Sequence, residues 1–335
     1  MKISVLDPAI LDDNGCLSNN LGDIIIQRAV TRELRNLFGT CDIVRISTHV
    51  RMQPKHFENL QDSKYVFVGG SNLLGNSCFY PRERLLRLEG FRWRQWSISL
   101  WDAFKIRNAV LIGAGWWRYE GKAGLYTRRI LKAALSKDAL HSIRDEHTTK
   151  KLKKIGMYNV INTGCPTMWT LINIDQTNLP TDKADDVLMT LTCTQPKPEV
   201  DAKLIELLLA KYHRVYCWPQ GKGDKDYVTS LRFPVIMLEH SLQSIEDFIR
   251  GEKNWDYIGT RLHGGILCLQ AKRRTLILRI DNRATEITKD TGLFTVDRND
   301  LASISLWIDG SARTEININR EAVDSWRSQF KKSTG

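Results

Sequence analysis

The 335-residue sequence lacks most of the features that define a class outright. Its seven cysteines form no Cys-x-x-Cys pair. That argues against a disulfide framework or a cysteine zinc site and suits a reducing, cytoplasmic setting. No apolar run approaches the roughly 18 residues needed to span a bilayer. The opening residues, Met1 to Asp7, meet a charge too early for a signal peptide. Gly-x-Gly-x-x-Gly, Gly-x-x-x-x-Gly-Lys-Ser/Thr, Gly-x-Ser-x-Gly and His-Glu-x-x-His motifs are all missing, so neither a metal centre nor a bound dinucleotide is expected. No helix-turn-helix, RNA-recognition or zinc-finger pattern occurs, and nucleic acid is not expected as a partner.

Charge is present, and it is lopsided. The net charge is +11. Residues 1–172 hold 26 Lys and Arg against 15 Asp and Glu, whereas residues 173–335 hold 23 of each. The excess narrows to residues 82–154, with 18 basic against 7 acidic side chains. Trp93, Trp96, Trp101, Trp116 and Trp117 fall in the same segment. A basic, tryptophan-rich segment suits an anionic membrane interface; the same rings could stack on sugars or pack on a sheet.

Short β-branched runs recur at helix-length intervals: Lys2–Leu6, Asp42–Ile46, Tyr65–Val68, Asn108–Ile112, Ala139–Ile143 and Asn159–Ile161, then Val187–Leu191, Arg214–Cys217, Val235–Leu238, Tyr257–Gly259 and Thr275–Ile280. This spacing suits βαβ units and predicts an α/β protein with two successive parallel sheets. The expected division is a basic N-terminal domain over 1–172, a polar linker over 173–186, a C-terminal domain over 187–318, and a terminal helix and tail over 319–335. That helix would place Val323, Trp326 and Phe330 on one face. Asp201 is expected to cap a helix over 202–212, and Ser244 with Asp247 has capping-box spacing.

The most informative stretch is Ile258-Gly259-Thr260-Arg261-Leu262-His263-Gly264-Gly265. It reads as a strand end, then a helix starting near Gly264. Arg261 and His263 would point the same way in extended chain, beside the outward-facing amides of the helix start. Such a group offers an anion site next to a titratable imidazole, at the strand edge where open α/β sheets collect ligands. Arg283 and Arg144 are further cations expected at sheet edges. Asn20-Leu21-Gly22-Asp23, Gly69-Gly70-Ser71 and Gly113-Ala114-Gly115 are turns that could expose amides. Cys165, in Gly-Cys-Pro-Thr, is read as a small buried thiol rather than a nucleophile.

Taken in order from about residue 18 to 293, these turns resemble the polysaccharide pyruvyl transferase family. The strongest match is Gly259-x-Arg261-x-His263-Gly264, followed by the strand 275–280 and the basic loop at Arg283. Asn20-x-Gly22-Asp23, Gly69-Gly70-Ser71, Ser142-x-Arg144-Asp145 and Gly164-Cys165-Pro166-Thr167 resemble the family's other turns. Arg283 stands where Lys is usual, and Ser71 where a third Gly is usual. The resemblance implies two Rossmann-like domains facing a cleft, similar to B-type glycosyltransferases. It implies phosphoenolpyruvate as donor, with no metal or other cofactor, and a cyclic ketal on two hydroxyls of a cell-surface polysaccharide or its lipid-linked precursor. On this reading His263, Arg261 and Arg144 are catalytic, and Arg283, Gly264, Gly265, Asn20, Asp23, Gly69 and Gly70 bind substrate. The enzyme would be cytoplasmic, peripheral at the inner membrane face. The alternative is a B-type glycosyltransferase using a sugar nucleotide.

Overall fold

The structure is a computed structural model, and it describes residues 1–76, 96, 98–119 and 121–331. Trp93 lies outside them. Element order begins β1 (Lys2–Asp7), α1 (Leu21–Phe38), β2 (Asp42–Ser47), α2 (Pro54–Gln61), β3 (Tyr65–Gly69), α3 (Leu100–Ile106), β4 (Val110–Ile112), α4 (Leu125–Ala134), β5 (His141–Ile143), α5 (Glu146–Lys154) and β6 (Val160–Asn162). It continues β7 (Asp186–Thr190), α6 (Pro198–Lys211), β8 (Arg214–Cys217), α7 (Asp224–Ser230), β9 (Ile236–Met237), α8 (Leu242–Gly251), β10 (Trp255–Gly259), α9 (Leu262–Gln270), β11 (Thr275–Arg279), α10 (Asn282–Thr291), β12 (Thr295–Asp297), α11 (Leu301–Asp309) and α12 (Arg320–Lys331).

The chain divides into two compact units. One comprises Met1–Ser18, Asp23–Trp169 and Asn319–Gly335, and the other Asn19–Gly22 and Thr170–Ile318. Each is α/β and Rossmann-like, as the strand spacing predicts.

In the first unit β2, β1, β3 and β4 form a parallel sheet in that order. β5 and β6 pair in parallel beside it, joined through Gly113 N–H to Ser142 O (3.0 Å) and Arg144 N–H to Ala114 O (3.1 Å). The order reverses between β1 and β3. Loops leaving the carboxyl ends of those strands therefore part there and leave a crevice. The strands are short and apolar because helices cover both faces. α1 buries Ile26, Ala29, Val30 and Leu34 at helical spacing. Gly39, at φ +62°, ends it in the left-handed region that suits a helix stop.

The second sheet runs β12-β11-β10-β7-β8-β9, all parallel. Its order reverses between β7 and β10, so the loops after Thr190 and Gly259 face each other across a crevice. β12 is too short and polar in sequence to be recognised as a strand; its pairing with β11 defines it.

Several local expectations are corrected. Residues 173–186 are not a free linker: they belong to the second unit, where Gln176 Oε1 accepts from Ile316 N–H (3.0 Å) and Asp186 pairs with Arg214. Asp201 does not cap a helix, because α6 starts three residues earlier at Pro198; its buried carboxylate holds Arg298 instead. α8 is capped by Ser241, whose hydroxyl accepts from Ser244 N–H (3.0 Å). The terminal helix packs on the first unit. Trp326 and Phe330 meet Phe67 edge to face, with 6.2 and 5.5 Å between ring centroids, and Arg327 pairs with buried Glu33.

Candidate functional site

The second unit brings its chemistry-bearing residues to the reversal point between β7 and β10. Gly259 lets β10 press onto β7: a Cβ there would lie 2.2 Å from Thr190 Oγ1. Thr190 then accepts from Arg261 N–H through its hydroxyl (3.2 Å), and Tyr257 donates its hydroxyl to Arg261 O (2.8 Å). The backbone of Arg261 is thus fixed from both sides. Its guanidinium forks onto Asp224, with Nε to Oδ2 at 2.9 Å and Nη2 to Oδ1 at 2.5 Å. Asp224 is wholly buried and also accepts Gly221 N–H (2.7 Å) and Cys193 N–H (3.0 Å). The Arg261 side chain retains 11% exposure, and its Nη1 group stands outside the pair. Burial, then the Asp224 charge, push the Cys193 thiol above its usual range. Cys193 stays a protonated neighbour rather than a nucleophile.

α9 begins at Leu262, not near Gly264, so Arg261 is its cap position and His263 lies in its first turn. The two side chains therefore do not follow the alternation of an extended chain. Gly265 N–H donates to Arg261 O (3.0 Å), which closes that turn and removes this amide from ligand binding. The glycines serve close packing: a Cβ on Gly265 would meet Ile277 at 2.5 Å, and one on Gly264 would lie 3.0 Å from Tyr257 Oη and Gln220 Oε1.

His263 is buried against Gly22, whose added Cβ would lie 3.6 Å from Nδ1. Residues 19–22 reach that place because Leu21 N–H donates to Gln220 O (3.0 Å) and Lys222 N–H to Asn19 O (3.1 Å). Asn20 Oδ1 turns back to accept Gly22 N–H (3.1 Å). Sequence reasoning missed Gln220. It is 2% exposed, its Nε2 reaches Asn20 Oδ1 only at 3.5 Å, and its Oε1 has no hydrogen-bond partner among the described residues. A buried amide oxygen left unsatisfied beside His263's helix marks a place for a ligand donor. A single Gln in Trp-Pro-Gln-Gly carries no pattern that would have revealed it.

Further along the same edge, Arg283 folds back onto Asp281, the N-cap of α10, through Nε and Nη2 (2.9 and 2.6 Å to Oδ2).

The first unit has its own cluster at the β1/β3 reversal. Asp23 is buried and accepts from Ser18 (3.2 Å) and Ser71 (3.2 Å) hydroxyls. Gly70 and Ser71 both adopt positive φ, +51° and +61°; a Cβ on Gly70 would strike Ile26 at 2.2 Å. Gly69 lies against Gln27, whose buried amide has no partner at either atom among the described residues. At the end of β5, Arg144 is buried under Gly115 and bound to Asp145 Oδ2 through Nε (3.1 Å) and Nη2 (3.0 Å). It is a paired cation rather than a solvated one. Cys165 is buried, in hydrogen-bond reach of the Thr167 hydroxyl (3.1 Å). No group of three metal-binding side chains is gathered among the described residues.

Fold and turns together define an α/β enzyme of two Rossmann-like units, with a guanidinium and an imidazole brought to a strand-order reversal. The chain belongs to the polysaccharide pyruvyl transferase family, whose sequence model matches residues 20–282. That span includes every site residue expected from the sequence except Arg283, one position beyond it. No curated protein sequence matches the chain. Among solved structures, a UDP-GlcNAc 2-epimerase of Methanocaldococcus jannaschii bound to UDP-GlcNAc and UDP is similar at 11% identity, over 100% of both chains, with a TM-score of 0.52. This likeness concerns the fold alone. MnaA of S. aureus, solved with UDP, is similar at 12% identity over 93% of this chain and 91% of its own, with a TM-score of 0.47. The E. coli heptosyltransferase WaaC is similar at 12% over 83% and 88%, with a TM-score of 0.37.

Proposed function

We propose that this enzyme transfers pyruvate from phosphoenolpyruvate to two hydroxyls of one sugar, forming a cyclic ketal and releasing phosphate. The observation that carries the reading is the Arg261–His263 pair at the β7/β10 reversal, in a chain of this family.

Phosphoenolpyruvate carries a carboxylate and a phosphate, and a guanidinium already aligned by Asp224 offers either its remaining N–H groups. One sugar hydroxyl attacks the central carbon while an acid protonates the methylene carbon, which becomes a methyl group. His263 is the proposed acid, since an imidazolium can donate a proton and the imidazole it leaves can take one back. The first hydroxyl's proton passes to the phosphate, which then leaves with the C–O electron pair as hydrogen phosphate. The second hydroxyl adds to the same carbon, and its proton passes to a base, for which His263, now neutral, is suited. Gln220 Oε1 is placed to accept from a sugar hydroxyl near the imidazole. No step needs a metal or a redox cofactor. The acceptor is proposed to be a polysaccharide or its lipid-linked precursor, met at the cytoplasmic face of the membrane.

Incubation with phosphoenolpyruvate and candidate saccharides should release phosphate and add the pyruvate mass to the sugar. His263→Ala should abolish both while donor binding, read by thermal shift, persists. Undiminished turnover in that variant removes His263 from the mechanism. Stabilisation by sugar nucleotides but not by phosphoenolpyruvate would overturn the reading in favour of glycosyl transfer.

A further inference from the structure

The first unit carries a surface that the proposed chemistry does not use. α3 and α4 pack together and turn Ala103, Ile106, Ile130 and Leu131 into the core. Their outer positions should then be polar. Instead Trp101 is 69% exposed, Phe104 58% and Leu125 73%, and Tyr158, in the turn before β6, is 75% exposed. With Tyr126, these are five of the eleven large hydrophobic side chains exposed among the described residues, so they form a concentration rather than a scatter.

A groove of about 970 Å³ runs through this face, with Leu100, Phe104, Met157 and Tyr158 on its apolar lining. Arg107, Arg129, Lys132 and Lys137 also line it, against Asp138 as the one carboxylate among the described residues. Lys132 lies across the backbone of Gly156, where an added Cβ would meet Nζ at 2.8 Å. Lys105 sits over the Trp101 ring at 5.6 Å. Cations thus surround the exposed rings.

Two kinds of occupant fit poorly. A second copy would bring two cationic rims together, and a soluble polyanion would leave Trp101, Phe104, Leu125 and Tyr158 in water. An anionic bilayer satisfies both features, because aromatic rings settle at the headgroup level while Lys and Arg meet lipid phosphates.

We propose that the face built by α3, α4 and the 156–159 turn docks this enzyme on an anionic phospholipid bilayer. This rests on the membrane-facing part of the reading above and is independent of pyruvyl transfer.

The test is flotation of the intact chain with vesicles of phosphatidylglycerol and phosphatidylcholine, against phosphatidylcholine alone. Binding is expected only to the anionic vesicles, weakening as salt rises. Replacing Arg129, Lys132 and Lys137 together by Ala should lower the partition constant roughly 100-fold, at about five-fold for each cation near such a surface. Trp101→Ala with Phe104→Ala should remove the binding that survives high salt. All these positions are exposed, so melting temperatures should match the parent. No flotation with anionic vesicles at low salt overturns the proposal, as does an unchanged partition in the triple variant. A dimer in sedimentation without lipid that the aromatic variant dissolves also overturns it, in favour of self-association. Phosphate release from phosphoenolpyruvate with a water-soluble acceptor should be the same in all variants. If it persists while flotation fails, only the docking surface is lost; if it is absent while flotation succeeds, only the pyruvyl-transfer reading is lost.

Discussion

Replacing Asp145 by Asn tests whether the Arg144 guanidinium is a buried, paired charge. Asp145 uses both oxygens: Oδ2 takes Arg144 Nε and Nη2 at 3.1 and 3.0 Å, and Oδ1 takes Thr148 N–H and Oγ1 at 2.7 and 2.6 Å. Both side chains are 1% exposed. Asn keeps an oxygen for Thr148, so the cap of α5 survives, but it removes the charge that compensates the guanidinium. Breaking a buried pair in this way costs about 3–5 kcal/mol. Asp145→Ala also loses the cap, worth about 1 kcal/mol more. For a unit of this size each kcal/mol moves the melting temperature by roughly 2–4 °C. The Asn variant should therefore melt about 10 °C or more below the parent, and the Ala variant a few degrees lower again. Removing both charges, with Arg144→Met added to Asp145→Asn, should recover most of the loss, since no unpaired ion remains. If the Nη1 edge of Arg144 takes the donor's anion, phosphoenolpyruvate should stabilise the Asn variant more than the parent, because the ligand supplies the missing charge. The assay is thermal denaturation followed by circular dichroism, with and without donor. An Asn variant melting within about 2 °C of the parent would refute the buried pair.

Arg261→Ala should raise the donor KM at least ten-fold, the loss expected of a charge-assisted bond of about 1.5–3 kcal/mol; an unchanged KM counts against the assignment. Gly22→Ala should push the Gln220 amide, whose Nε2 would lie 2.7 Å from the new Cβ. Turnover should fall roughly ten- to a hundred-fold with little change in melting temperature, and normal turnover would sink the idea that Gln220 and His263 form one site. His141 is buried, with Nδ1 accepting Leu111 N–H (3.2 Å) and Nε2 donating to Ser136 O (2.9 Å). Burial lowers its pKa from 6.5 to about 4. A depressed histidine pKa means the unfolded chain binds the proton first, so stability is full above about pH 6.5 and falls as pH drops towards 4. The loss should approach 3 kcal/mol in denaturant titrations, and His141→Gln should flatten that slope.

Much of the fold was legible because parallel strands covered on both faces are runs of Val, Ile and Leu, and such runs survive any uncertainty about the helices between them. The site was legible only as cations at turns. Its error at α9 has a physical cause. Gly264 and Gly265 suggest a helix start by their flexibility, yet they lie inside α9 so that it can approach Tyr257 and Ile277. Asp201 fits a cap by local pattern, but the demand of buried Arg298, nearly a hundred residues away, prevails. The same holds for Gln220 and Asn20, which are 200 residues apart and meet only once residues 19–22 have joined the second unit. By contrast Arg144 and Asp145 are adjacent in sequence, and their pairing was open to local reasoning.

That pairing recurs. Arg261 is held by Asp224, Arg144 by Asp145 and Arg283 by Asp281, each through Nε and an Nη group of the guanidinium. Each candidate cation thus arrives at its strand edge with its charge already balanced. A balanced pair attracts little at long range, where the net field vanishes, but it fixes the plane and direction of the remaining N–H groups. Specific capture of a carboxylate or phosphate needs that fixed geometry more than it needs surplus charge. The surplus that the sequence does carry lies over residues 82–154, where Arg144 and Asp145 cancel each other and add nothing to it, and part of it surfaces beside Trp101, Phe104 and Tyr158. Net charge and site charge are therefore separate devices in this chain. Raising the salt concentration should weaken attachment to anionic vesicles steeply while the donor KM changes little, and a KM as salt-sensitive as flotation would contradict the separation.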